Sequence, residues 1–167
     1  MVSMTMFIDN ELAKQLINKC KAKNYKLAIA ESCTGGLISS VITSVAGSSD
    51  VFECSFITYS NRSKKKILNV SDNNLNLYGA VSEEIVIDMI KGLRKKTRSD
   101  ILLAISGIAG PGGGTINKPE GLVWVSYALK NNVIKTSKLE FGPIGRDLVR
   151  EKSTIQSLKF LLSLLGD

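Results

Sequence analysis

Lys26-Leu27-Ala28-Ile29-Ala30-Glu31-Ser32-Cys33-Thr34-Gly35-Gly36-Leu37-Ile38 is the stretch that decides the fold. Lys26 to Ala30 reads as a short buried strand and Glu31 to Gly36 as a turn. Leu37, Ile38, Val41, Ile42 and Val45 then recur at helical spacing. Strand, glycine turn and helix in that order form the repeating unit of α/β folds. Upstream, Leu12, Leu16, Ile17 and Cys20 mark an amphipathic helix that Asp9 or Asn10 is placed to cap. Downstream of the Gly47-Ser48-Ser49-Asp50 turn, a strand runs from about Phe52 to Tyr59. A polar, lysine-rich segment containing Lys64 follows and ends near Tyr78-Gly79. Ser82 with Glu83 and Glu84 opens a helix carried by Ile85, Met89, Ile90 and Leu93, and its acids suit the positive end of the helix dipole.

Ile101 to Ile105 is a nearly continuous apolar run, as in strands covered on both faces, and it delivers Ser106 to its end. Gly107-Ile108-Ala109-Gly110-Pro111-Gly112-Gly113-Gly114 is too rich in glycine for regular structure and reads as a loop continuing to Gly121. Leu122 to Leu129 and Val133 to Phe141 read as an antiparallel pair joined by a two-residue turn at Asn131-Asn132. A closing helix begins near Gly145-Arg146-Asp147, with Leu148, Ile155, Leu158, Leu162 and Leu165 along its buried face. The expected architecture is a three-layer α/β/α sandwich with a mixed, mostly parallel sheet. With 167 residues it is expected to form a single domain spanning 1–167.

Composition narrows the function. Hydrophobic residues make up 44% and charged residues 22% of the chain, which is ordinary for a folded protein and excludes intrinsic disorder. No apolar run approaches the ~18 residues of a membrane span and no signal-peptide pattern opens the chain, so the expected location is the cytoplasm. Three cysteines, Cys20, Cys33 and Cys54, have neither disulfide nor zinc spacing. The chain contains no histidine, which removes the usual general base and every Ser-His or Cys-His pair. The net charge of +7 favours anionic partners. No nucleic-acid reading motif accompanies it, so nucleic acid is not the expected partner and a small phosphorylated substrate fits the charge equally well.

Three polar segments stand at the C-terminal ends of predicted strands, the edge where open α/β sheets bind ligands: the Ser32 turn, Tyr59 to Lys64, and Ser106 with its loop. Backbone N–H groups of Cys33, Thr34, Gly35 and Gly36 could hold an oxyanion or a phosphate. Two readings of Ser32 stay open, a helix cap or a nucleophile. A nucleophilic serine without histidine needs a lysine base. Lys64 is the best placed, with Arg62, Lys65 and Lys66 expected to lower its pKa by like-charge repulsion. Tyr59 could orient or pass a proton. Cys33 is a second nucleophile candidate or a small buried residue.

Ala30 to Gly36, Thr58-Tyr59-Ser60-Asn61 with Lys64, Gly79-Ala80-Val81-Ser82 and Ser106-Gly107-Ile108-Ala109-Gly110-Pro111 together resemble the C-terminal domain family of the competence-and-damage-inducible protein CinA. The resemblance implies a nicotinamide-nucleotide amidase of the pyridine nucleotide cycle, active as a homodimer without metal or cofactor. It makes Ser32 the nucleophile, Lys64 the base, Tyr59 their partner and Ser106 a hydrogen-bonding member of the same centre. Arg146 would hold the phosphate of nicotinamide mononucleotide, and Gly107 and Gly110 would shape the substrate loop. Glu120 stands where many members carry an apolar residue and Gly112 where an acid is common, so the loop is expected to differ in shape or charge. Longer relatives carry an N-terminal domain linked to pyrophosphatase activity, for which this length leaves no space; the expectation is the amidase alone. The alternative reading is a non-catalytic module that binds phosphate or nucleotide.

Overall fold

The computed structural model describes residues 10–166. Among them, five strands pair in the order β2-β1-β3-β4-β5. These are β1 (Leu27–Glu31), β2 (Phe52–Ile57), β3 (Ile101–Gly107), β4 (Leu122–Leu129) and β5 (Lys135–Glu140). β1 lies parallel to both β2 and β3, while β4 runs antiparallel to β3 and β5 antiparallel to β4. β4 is thus the reversed strand in a mixed sheet. The helices are α1 (Glu11–Lys23), α2 (Leu37–Thr43), α3 (Asn61–Leu68), α4 (Asp72–Tyr78), α5 (Glu83–Lys96) and α6 (Arg146–Ser163).

The pleat divides the strand side chains between two buried clusters. Leu27 and Ile29 of β1, with Ile101, Leu103 and Ile105 of β3, pack into the cluster that holds Leu16, Ile17, Ile38, Ile42 and Leu158 from α1, α2 and α6. Ala28 and Ala30, with Leu102 and Ala104, face the opposite cluster of Leu68, Ile85, Met89, Ile90 and Leu93 from α3 and α5. This gives the expected α/β/α layering, and both faces being covered explains why β1 and β3 are apolar without alternation. Gly92 in α5 lets α3 dock closely, since a Cβ there would lie 2.3 Å from the Leu68 carbonyl oxygen.

Several local expectations change. Lys64 lies on a helix, α3, and the segment after it forms α4. Ser60 opens α3 with a capping box, accepting from the Ser63 N–H while Ser63 Oγ accepts from the Ser60 N–H. The buried positions of α3 are Lys64 and Leu68, so a lysine fills a core position and the apolar period disappears from the sequence. β2 ends at Ile57, before Thr58 and Tyr59. Asn10 precedes α1 but makes no side-chain cap bond, and Asp9 lies outside the described residues.

Asn131-Asn132 does not form a tight two-residue turn. β4–β5 pairing stops at Tyr127 and Lys135, while Leu129 pairs with Ile101 of β3, and Arg94 Nη2 donates to the carbonyls of Leu129 and Asn132. The Leu129 carbonyl also accepts from the Asn132 N–H at 3.1 Å, closing a turn centred on Lys130-Asn131, and the left-handed asparagines are Asn24 and Asn69, at the ends of α1 and α3. α6 buries Val149, Ser153, Thr154, Ser157, Leu158 and Leu161, leaving Leu148 44% exposed. Its packed face includes hydroxyl residues, so the leucines alone misplaced the stripe.

Candidate active site

The turn after β1 is built around a carboxylate. Glu31, the last residue of β1, is fully buried. It accepts from Thr34 Oγ1 at 2.6 Å, Gly36 N at 2.9 Å, Ile38 N at 3.3 Å, Ser39 N at 2.9 Å and Ser39 Oγ at 2.5 Å. The start of α2 therefore receives its acceptor from the preceding strand. Neither Ser32 nor Thr34 caps the helix, whose N-cap is Gly36 without a side-chain bond. Gly36 sits at φ +96, a conformation in which a side chain would be strained.

Freed from capping, Ser32 faces Lys64. Lys64 Nζ lies 2.9 Å from Ser32 Oγ, 2.7 Å from the Thr58 carbonyl oxygen and 3.1 Å from that of Tyr59. Lys64 is 1% exposed. As an ammonium it donates to all three oxygens. As an amine it has two hydrogens for the two carbonyls, which leaves its lone pair aimed at the serine proton. Burial pushes the Lys64 pKa down from 10.5 to about 8, opposed by the neighbouring Cys33 thiol. The expected crowding by Arg62, Lys65 and Lys66 is not the cause. All three are exposed, and Lys65 pairs with Asp72 at 2.7 Å. Desolvation of the amine does what like-charge repulsion was expected to do.

The donors left for an oxyanion are fewer than expected. Gly36 N–H is held by Glu31, and Gly35 N–H donates to the Ser32 carbonyl at 3.0 Å. Among the described residues, the N–H groups of Cys33 and Thr34 meet no backbone acceptor and lie against the Cys33 sulfur. Cys33 itself is a core residue. Burial, with Glu31 beside it, pushes its thiol up to about 12, far from a thiolate nucleophile. Gly107 leaves room for it, since a Cβ on Gly107 would come 3.0 Å from Cys33 Sγ and 2.6 Å from Val123 Cγ2.

The remaining candidates form the rim. The Tyr59 side chain is 57% exposed, and its hydroxyl accepts from Arg146 Nη2 at 2.7 Å. Its link to Lys64 is the backbone carbonyl, not the phenol. Arg146 Nη1 donates to the Gly110 carbonyl at 2.9 Å. Ser106 is buried inside β3, and its hydroxyl donates to the Ala80 carbonyl at 2.8 Å instead of to Ser32 or Lys64. The two unusual loop positions meet: Glu120 Oε2 accepts from the Gly112 N–H at 3.1 Å, and Glu120 packs where a Cβ on Gly110 would collide with it.

The structure thus brings Ser32 and Lys64 into contact, with Tyr59, Gly110 and Arg146 linked beside them, the Cys33 and Thr34 amides against the Cys33 sulfur, and Ser106 tied to Ala80. The reading from sequence missed Glu31, the Thr58 carbonyl and Arg150, whose Nη2 donates to the Thr34 carbonyl at 3.0 Å. Glu31 was marked by being an acid at the end of a wholly apolar strand, and Arg150 by standing one helical turn beyond Arg146. No residue type signals a backbone carbonyl.

An α/β sandwich with a buried serine–lysine contact at the C-terminal edge of its parallel strands is the class that fold and site define. The chain belongs to the CinA C-terminal domain family, whose model matches residues 9–165. It is 42% identical over 153 residues to nicotinamide-nucleotide amidohydrolase PncC of Enterobacter agglomerans, covering 92% of this chain and 93% of that protein. It is 51% identical over 135 residues to a CinA-like protein of Prochlorococcus marinus, of which it covers 31%. The fold matches the crystal structure of the competence/damage inducible protein CihA from Agrobacterium tumefaciens with a TM-score of 0.91 at 37% identity, over 93% of this chain and 94% of that one.

Proposed function

We propose that the protein hydrolyses the carboxamide of nicotinamide mononucleotide to nicotinate mononucleotide and ammonia by way of an acyl-serine, in pyridine nucleotide salvage. The observation that carries this reading is the 2.9 Å contact between Lys64 Nζ and Ser32 Oγ, in a chain similar over most of its length to a nicotinamide-nucleotide amidohydrolase. Neutral Lys64 takes the Ser32 proton as Oγ attacks the carboxamide carbon. The N–H groups of Cys33 and Thr34 receive the oxyanion, a contribution typically worth ~3–4 kcal/mol per preorganised donor. The tetrahedral adduct collapses by breaking its C–N bond, and the departing amine takes the proton back from Lys64 and leaves as ammonia. Water then adds to the nicotinoyl ester, giving its proton to Lys64. The second collapse breaks the ester bond, returns that proton to Ser32 and releases the acid.

Tyr59 acts through its carbonyl on Lys64 and through its hydroxyl on Arg146, which ties the base to the substrate rim. Ser106 fixes the Ala80 backbone against β3 and bounds the site. The protein works as a cytoplasmic homodimer of single-domain chains, without metal or cofactor. The test is release of ammonia and nicotinate mononucleotide by purified protein without added metal, beside its Ser32→Ala variant, with nicotinamide as a second substrate. Turnover of the mononucleotide, lost by at least ~10³-fold in a folded Ser32→Ala protein, is the expected result. Undiminished turnover in that variant removes Ser32 from the reaction.

A further inference from the structure

An anion arriving at this site cannot use the α2 N-terminus in the usual way, because the Glu31 carboxylate already occupies those amides from inside. The charge must come from side chains. Arg146 has engaged one Nη with Gly110 and the other with Tyr59. Arg150, one turn further along the same face of α6, is half-buried and engages only Nη2, on the Thr34 carbonyl. Its Nη1 and Nε have no hydrogen-bond partner among the described residues. Neither arginine belongs to an ion pair there, although Asp147 and Glu151 lie on the same helix. Beneath Arg150 the turn carries no side chain at Gly35. Gly35 is exposed at φ +59, and the Cβ it lacks would stand 3.9 Å from Arg150 Nη2.

We propose that Arg150 is a specificity-determining residue: with Arg146 beside it, its free guanidinium edge receives the phosphomonoester of the substrate at the rim of the exposed Gly35 turn. The proposal rests on the nucleotide reading above and adds to it the residue that makes a phosphorylated amide preferable to an unphosphorylated one. A guanidinium offers paired donors in the geometry that phosphate oxygens accept. Its third contact, to Thr34, couples phosphate capture to the turn that carries an oxyanion donor.

The test compares wild type with Arg150→Gln, which keeps a donor for Thr34 and removes the charge, and with Arg150→Lys, which keeps the charge and loses the fork. Substrates are nicotinamide mononucleotide and nicotinamide riboside, with inorganic phosphate as inhibitor. In Arg150→Gln, KM for the mononucleotide is expected to rise about 10- to 100-fold, the worth of one charge-assisted contact, with a smaller change in kcat. The preference over the riboside shrinks in proportion, phosphate inhibition weakens in step, and Arg150→Lys lies between. An unchanged KM, or an equal fall in kcat for both substrates, overturns the proposal and makes Arg150 a prop for the turn. If wild type hydrolyses neither substrate, the amidase reading fails separately, and ³¹P line broadening of inorganic phosphate decides for Arg150. Broadening by wild type that Arg150→Gln abolishes supports the anion site, and equal or absent broadening removes it.

Discussion

The turn after β1 and the loop after β3 leave neighbouring strands at the same edge of the sheet, and both are rich in glycine, yet they are held in opposite ways. Ser32 to Gly36 closes around a buried carboxylate that takes two hydrogen bonds from the turn and three from the start of α2. Gly107 to Gly121 is pinned at its base by the Gly121 N–H on the Ile108 carbonyl and further out by side chains near its surface. Lys118 Nζ donates to the carbonyls of Tyr78 and Val81, Glu120 accepts from Gly112, and Arg146 donates to Gly110. Ile116, at the tip of that loop, is 100% exposed. Buried, fully satisfied polar networks rigidify, whereas contacts near water are individually weak. The first turn is thereby fixed in place, which suits the chemistry proposed for it. On the function proposed above, the second accepts the substrate and settles around it.

The largest effect falls at the base that faces the rigid turn. Lys64→Met should lower turnover by ~10³-fold or more while raising stability at pH 7. The folded-state pKa of about 8 lies below the ordinary 10.5, so the unfolded chain binds the proton more tightly. Burying the lysine therefore costs on the order of 3 kcal/mol below pH 8, and that cost fades as pH rises from about 8 to 10.5. Thermal melts of both proteins across that range check it, and a variant no more stable than wild type at pH 7 would contradict the desolvated base. In wild type, kcat/KM should climb about tenfold per pH unit below about 8 and then level, because only the neutral amine can take the serine proton.

Next in size is the carboxylate that locks the turn. Glu31→Gln keeps the volume but replaces one acceptor oxygen with a donor facing donors. We expect a loss of ~2–4 kcal/mol in chemical denaturation and a fall in kcat of about 10²-fold, with KM changed far less. A KM effect as large as the kcat effect would show that the two glycine segments are not divided as described. The smallest effect belongs to the outer loop. Lys118→Ala should raise KM about two- to fivefold, leave kcat nearly unchanged and shift stability by less than ~1 kcal/mol. Steady-state kinetics beside a denaturation curve separates this pattern from that of Glu31.

Residue types and their spacing determined the layered α/β architecture, the helix from Ser82 and β4 to the residue, and left Ser32 open between helix cap and nucleophile with Lys64 as its conditional partner. Those inferences rest on local properties that a linear chain displays: runs of apolar residues, glycine after a strand, and the absence of histidine. Tertiary structure decided the rest, because it depends on what each group meets across the fold. A lysine in a core position concealed α3, and serines on the buried face of α6 shifted its stripe. The β4–β5 connection turns at Lys130-Asn131, one residue before the expected pair, with Arg94 of α5 donating to its carbonyls. Burial, not neighbouring charge, set the Lys64 pKa, and Glu31 took the Gly36 amide that was expected to serve a ligand. The sequence determined which chemical groups are present, and folding decided which of them remain unsatisfied, because desolvation and hydrogen-bond competition act only once distant segments are packed together.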